Sequence, residues 1–166
     1  FFAARLRMAE DPTRLGGEWN VVHATGLLWR RAHGRKLSAA WQQERRVLSA
    51  CAAAGVYPRE AFIAAGGFDE DFFAYMEDVD LDFRLQLLGY PCYYLPQAVV
   101  RHAGSGSTAP RSDLVIFYGH RNLVWTFVKN MPGWLFWVML LPHLLVNLIY
   151  LLAALFFHFR GAMVLS

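Results

Sequence analysis

The chain has 166 residues, 56% of them apolar and 17% charged, with a net charge of +3. That is room for one domain with a sizeable core, and the mild basic excess contains no Lys/Arg run of the kind that lines a nucleic-acid groove. Its two cysteines, Cys51 and Cys92, form no C-x-x-C pair, which argues against a structural zinc site or a disulfide framework and suits a reducing compartment.

The chain begins at Phe1, in the middle of a pattern, and reads as a fragment lacking an N-terminal portion, so it cannot show a signal peptide. Residues 1–19 are mixed, with a turn-like "LGG" at Leu15 to Gly17. "VVHATGLLWRRAHGR" starts like a strand and ends in a basic patch, Arg30, Arg31, Arg35 and Lys36. The patch fits a solvated face or a contact with anionic phosphate or lipid. A small-residue strand is predicted over 48–56. Its "SACAAAG" suits tight core packing or close approach of another chain or ligand to the backbone. Pro58 then opens a short helix over 59–65, which Gly66 and Gly67 end.

Seven of the thirteen acidic residues fall between Asp69 and Asp82. Leu81, Leu85 and Leu88, widened by Phe83 and Leu87, form a helical stripe that Gly89 ends. Glu77 and Asp78 therefore lie at or just before a helix N-terminus, where a carboxylate is favoured and Asp78 fits an N-cap. Asp80 and Arg84, four apart, fit an ordinary surface pair, with Asp82 on the same solvated face. The spacing of Asp78, Asp80 and Asp82 is that of a calcium loop, but Phe83 stands where Gly is needed and Gly89 where Glu is needed. Upstream, "GGFDEDFFAYM" sets four aromatics amid three acids, so the acids frame an apolar surface.

Residues 93–95 and 98–101 read as two short strands separated by Pro96. They end at His102, 24 residues beyond Asp78. A helix-start carboxylate and a strand-end imidazole can meet across one cleft and supply a general base and a metal ligand. His102 also fits a strand-end residue with an ordinary hydrogen bond. "AGSGST" is a loop without the Lys and spacing of a phosphate-binding P-loop, and residues 112–130 read as a helix.

No charged residue occurs between Lys129 and Arg160, and residues 131–159 form a 29-residue apolar run. About 20 such residues cross a bilayer. Pro132 and Pro142 are expected to break the run, leaving residues 143–159 as the better spanning helix, with Trp134 and Trp137 at the interface. His143 and Asn147 share a helical face, which keeps open a helix lying in the membrane interface or a buried helical pair. Arg121 and Lys129 precede the run, as the positive-inside tendency expects for a cytoplasmic N-terminal side.

The stretch "CAAAGVYPREAFIAAGGFDEDFFAYMEDVDLDFRLQLLGYPCYYLPQAVVRHAGSGS" resembles the acceptor half of family 2 glycosyltransferases, and among them the bacterial rhamnosyltransferase-like members. "HRNLVWTFVKNMP" resembles their C-terminal helices less specifically. The resemblance implies an α/β fold: a partial GT-A, Rossmann-like mixed sheet with flanking helices over residues 1–110, then apolar C-terminal helices over 111–166. It implies an inverting transfer of a sugar, rhamnose in the nearest members, from a nucleotide-sugar donor to a hydroxyl of a cell-envelope or lipid-linked glycan, at the cytoplasmic face of the cell membrane. Asp78 takes the place of the family's base and Glu77 of its acceptor-side partner. Gly66 and Gly67 match a double glycine near the acceptor. His102 stands where several members hold a divalent ion, Mg2+ or Mn2+, at the donor diphosphate. Two departures qualify the match. No Asp-x-Asp precedes residue 78, so the donor-binding half is not in the chain, and Pro58 replaces a common basic residue. A processive polysaccharide synthase is disfavoured because "HRNLVW" lacks Q-x-x-R-W. A non-catalytic membrane-anchored module with a solvated acidic cap is the alternative from another class.

Overall fold

A computed structural model describes residues 1–103 and 112–156. The "AGSGST" loop beyond Ala103, the expected domain boundary near 110 and the end of the apolar run lie outside the described residues. The elements are β1 (Phe2–Met8), β2 (Leu15–Gly17), β3 (Asn20–Val22), β4 (Leu28–Arg30), β5 (Arg45–Val47), β6 (Gly55–Val56), α1 (Arg59–Ala64), α2 (Glu77–Leu87), β7 (Cys92–His102), α3 (Asp113–Asn130) and α4 (Gly133–Phe156). The fold is mixed α/β, consistent with a partial Rossmann-like sheet. Its strand order is β2-β1-β7-β5, with β6 also on β1. Only β1 and β7 run parallel; β2, β6 and β5 pair antiparallel. Hairpin β3–β4 stands apart, joined to the main body by a bridge from Asn20 to Ser49.

Several expectations are corrected. "LGG" is not a turn but strand β2, because Leu15 is fully buried and pairs with Arg7 of β1. The strand expected over 48–56 is broken: the ladder ends at Val47, Ser49 makes one isolated bridge, a 3-10 turn occupies Ala52–Ala54, and Gly55–Val56 pairs with β1. The two strands around Pro96 are one strand, β7. Leu95 pairs with Ala4 and Val99 with Arg5, so residues 96–98 bulge out, where a proline without an N–H breaks no ladder bond. Of the expected leucine stripe, Leu81 and Leu85 are buried, whereas Leu87 and Leu88 are exposed. Pro142 lies inside a continuous α4 instead of breaking it.

The core packs Leu81 and Leu85 of α2 against Ala3, Cys92 and Tyr94 of the sheet, with Trp19 and Ala50 closing the layer. At about 1.5–3 kcal/mol for each large side chain removed from water, this layer is what seats α2. The acidic residues of α2 are not on a solvated face. Asp80 and Asp82 are both fully buried. Asp80 pairs with Arg84 at 2.7 Å as expected, but it also takes Lys129 Nζ at 3.0 Å and donation from Asn130 Nδ2 at 2.8 Å. Arg84 in turn donates to the Gly67 and Ala65 carbonyls, tying α2 to the end of α1. Asp82 accepts from the Ala50 backbone N–H at 2.6 Å.

Burial pushes the Asp82 carboxyl well above its ordinary value of 3.8, and nearby Asp78 pushes it further. A carboxyl raised on folding stabilises the fold fully below that ordinary value and loses the contribution as pH rises through the folded value. Thermal unfolding is therefore expected to show the wild-type advantage over Asp82→Asn shrinking from about pH 4 upward, by at most about 1.4 kcal/mol per pH unit. A difference that stays level or grows with pH would overturn the assignment.

Candidate functional site

A cleft of about 610 Å³ opens between the start of α2, the loop after β5, hairpin β3–β4 and the face of α3 carrying Val115, Gly119 and Leu123. Glu77, Asp78 and His102 all line it. The carboxylate and imidazole expected to meet across one cleft are thus brought to the same one.

Asp78 is the second residue of α2, not its N-cap; the cap position is Met76, whose side chain bonds nothing there. The carboxylate is fixed instead by three donors. Oδ1 accepts from Val79 N–H at 2.8 Å. Oδ2 accepts from Ala52 N–H at 3.0 Å and from Asn20 Nδ2 at 3.4 Å. The close approach of Ala52 explains the small residues of "SACAAAG": Cys51, Ala52 and Ala53 form the cleft wall against the carboxylate. Asn20 is itself held by donation to the Ala50 carbonyl at 2.8 Å. These three bonds leave about one of the carboxylate's four lone-pair sites on Asp78 for a further proton. Burial raises the Glu77 carboxyl above its ordinary range, and Asp78 beside it adds to the rise.

The lining also carries Arg30 and two imidazoles, His33 and His102. Burial lowers the His102 imidazole from its ordinary 6.5, and Arg30 and His33 lower it further. His102 is therefore neutral at neutral pH, the form that ligates metals. Among the described residues no group of three His, Cys, Asp or Glu side chains converges in metal-binding fashion. His102 fits a divalent ion only as one ligand of a set completed by other groups.

The basic patch divides. Arg30 reaches the cleft, whereas Arg31 does not line it and instead lies over the Trp19 ring at 4.9 Å and bonds Glu18 at 3.3 Å. Gly66 (φ 82°) and Gly67 (φ 71°) stop α1 and do not line the cleft. Asn20, His33, Tyr75 and Met76 line it without having been singled out from the sequence. For His33 the signal was its place inside "RRAHGR"; for Asn20 there was none, since it acts through a bridge 29 residues long in sequence.

Three residues in the run entering α2 have positive φ: Phe73 (φ 60°), Tyr75 (φ 67°) and Met76 (φ 70°). None is glycine, and each such residue costs of order 1–3 kcal/mol. Strain concentrated next to Glu77 and Asp78 is the pattern of a functional site, not of a simple helix entry.

The chain is similar in part to curated proteins. It is 42% identical over 79 residues to N-acetylglucosaminyl-diphospho-decaprenol L-rhamnosyltransferase of Mycobacterium tuberculosis, in both strain CDC 1551 / Oshkosh and strain ATCC 25618 / H37Rv. The match covers 46% of this chain and 25% of each relative. The chain thus spans about a quarter of the length of the curated relatives it matches. No family model matches the chain, and no solved structure matches it.

Proposed function

We propose that the chain is the acceptor-side portion of an inverting family 2 glycosyltransferase of GT-A fold. The donor is a nucleotide sugar, rhamnose by analogy with the relatives, and the acceptor is a hydroxyl of a cell-envelope or lipid-linked glycan. The observation that carries this reading is the cleft itself, whose lining holds a carboxylate fixed by three donors together with Arg30 and His102. The similarity to rhamnosyltransferases supports the same assignment.

In this reading Asp78 accepts the proton of the acceptor hydroxyl as its oxygen attacks the anomeric carbon. The bond from that carbon to the diphosphate breaks on the opposite side, which inverts the centre. Three donors hold the base in place, so little reorganisation accompanies the transfer. Glu77, with its raised affinity for a proton, orients the acceptor by a hydrogen bond. Arg30 attracts the diphosphate. Gly66 and Gly67 lie outside the cleft lining, so their acceptor contact rests on the resemblance alone. A divalent ion, Mg2+ or Mn2+, when bound at the diphosphate, neutralises the charge growing on the leaving group. His102 is the residue of this chain that would hold it.

Membrane attachment through α4 belongs to the same proposal. Among the described residues α4 is the one helix long and apolar enough to cross a bilayer, with mean hydropathy 2.2. Its exposed residues, Trp134, Trp137, Val138, Leu141, Leu144, Leu145, Leu148, Ile149, Leu152, Leu155 and Phe156, fall on one arc. At 3.6 residues per turn that arc is about 140° wide and runs the whole helix, about 36 Å. The other side is docked. His143 stacks on Phe127 with ring centroids 3.9 Å apart and bonds the Thr25 carbonyl at 2.8 Å, Tyr150 meets His120, and Ala154 is buried. A helix fastened to the body along one side and bare along the other suits a position in the plane of the membrane interface, with the domain on the cytoplasmic side where nucleotide sugars are made.

Three outcomes test the proposal. In the full-length enzyme, Asp78→Asn is expected to lower turnover by about 10²–10⁴-fold with donor binding nearly intact; more than about a tenth of the wild-type rate would sink the assignment of the base. His102→Ala is expected to shift the metal titration of donor binding to higher metal concentration, and superimposable titration curves would make His102 structural. With cysteines placed at Gly133 and at Phe156, a membrane-impermeant maleimide is expected to label both from the cytoplasmic side of sealed vesicles. Labelling of Gly133→Cys alone would mark a spanning helix, and recovery of the protein in the soluble fraction would remove the membrane from the account.

A further inference from the structure

We propose that Asn122 is a positioning residue for this reaction: its side-chain amide holds the strained run from Phe73 to Met76 and so sets where Glu77 and Asp78 stand. The inference rests on the reading of Asp78 as base. Asn122 lies on α3, is fully buried, and does not line the cleft. Its Nδ2 donates to three backbone carbonyls of the loop: Phe72 at 2.9 Å, Ala74 at 2.9 Å and Tyr75 at 2.7 Å. The orientation of the amide is settled by its other end. Oδ1 accepts from Arg121 Nε at 2.9 Å, and a guanidinium has no acceptor, so the nitrogen must face the carbonyls. Two hydrogens serve three acceptors, so one bond is shared.

Arg121 braces the same loop. Its Nη2 donates to the Asp71 carbonyl at 2.8 Å and the Phe72 carbonyl at 3.2 Å, while its guanidinium lies over Trp125 at 4.1 Å. The acceptors of Asn122 are interleaved with the positive-φ residues: Phe72 precedes Phe73, and Ala74 and Tyr75 lead into Met76. A single amide gathers the three carbonyls. Without it the loop would lose three bonds to its carbonyls, at Phe72, Ala74 and Tyr75, and would relax toward ordinary backbone. Two residues further on lies the Asp78 carboxylate, for which a displacement of about 1 Å can cost about 10²-fold in rate. The side chain thus connects a motif of α3, "HRN", to the chemistry without touching substrate.

The experiment uses the full-length enzyme with Asn122→Ala, Asn122→Asp and, as a control on the same helix, Thr126→Val. Thr126 is also buried but bonds nothing in the loop. The expected result is a fall in kcat of about 10- to 100-fold for both Asn122 variants. The donor KM should stay within about twofold, amide exchange should be faster at residues 73–76, and the control should keep wild-type kcat. The exchange measurement reads the loop directly, including in a variant whose folded fraction is reduced. Unchanged exchange at 73–76, unchanged kcat in folded Asn122→Ala, or an equal loss in Thr126→Val would each overturn the inference. Asp78→Asn assayed in parallel separates the two claims. An inactive Asp78→Asn beside a fully active Asn122→Ala leaves the base in place and removes the positioning role. An active Asp78→Asn removes the base itself.

Discussion

Helix α2 is pinned by its own buried carboxylates, and the cleft depends on that. Asp82 reaches under the helix to the Ala50 N–H, and Asp80 reaches over it to Arg84, Lys129 and Asn130. One set of bonds fastens α2 to the loop after β5 and the other to the end of α3. At Asp80 the anion is fully buried while its cations Arg84 and Lys129 stay partly exposed, so breaking the pair costs less than the ~3–5 kcal/mol of a wholly buried one. The crowding of acids in a basic chain is therefore mostly architectural. Of the four carboxylates on α2, two hold the helix and two, Glu77 and Asp78, are left to face the cleft.

That division explains what the sequence could and could not disclose. The start of α2 was legible, because Leu81 and Leu85 repeat at helical spacing and the acids cluster before them. The convergence of Asp78 with His102 was legible as a possibility of spacing. The burial of Asp80 and Asp82 was not. Alternating acids on a helix read as solvated unless their partners are known, and Lys129, Asn130 and the Ala50 N–H are 32 to 50 residues away in sequence. The break of the strand at Ser49 was hidden for a related reason. A run of small residues fits a strand by composition, while here its backbone is drawn aside to donate to two carboxylates. Pro142 was misleading because proline deprives α4 of one backbone bond without ending it when the neighbouring side of the helix is anchored by His143.

Helix α3 connects the parts. One of its faces lines the cleft with Val115, Gly119 and Leu123, its end bonds Asp80, and Phe127 stacks on His143 of α4. The apolar helix also touches the tip of hairpin β3–β4, where a Cβ on Gly26 would stand 2.7 Å from the His143 ring. Only glycine, with φ at 85°, allows that approach. The hairpin that supplies Asn20 and Arg30 to the cleft is thus fixed in place by the helix with the most exposed apolar surface.

The bulge in β7 divides one strand into two phases. Side chains in register with a neighbour point to the same side of a sheet, and along a regular strand they alternate. Tyr94, in register with Ala3, packs into the core. Counted by twos from Tyr94, His102 would fall on that same side. It does not, because β7 advances four residues, Leu95 to Val99, while β1 advances one, Ala4 to Arg5. The excess of three residues is odd, and His102 comes into register with Met8, on the side of Leu6 and opposite to Ala3. The parity of residues 96–98, more than their chemical identity, determines which side of the sheet the imidazole serves. An evolutionary insertion or loss of one residue there would be silent to the composition of the strand and still exchange a cleft histidine for a buried one.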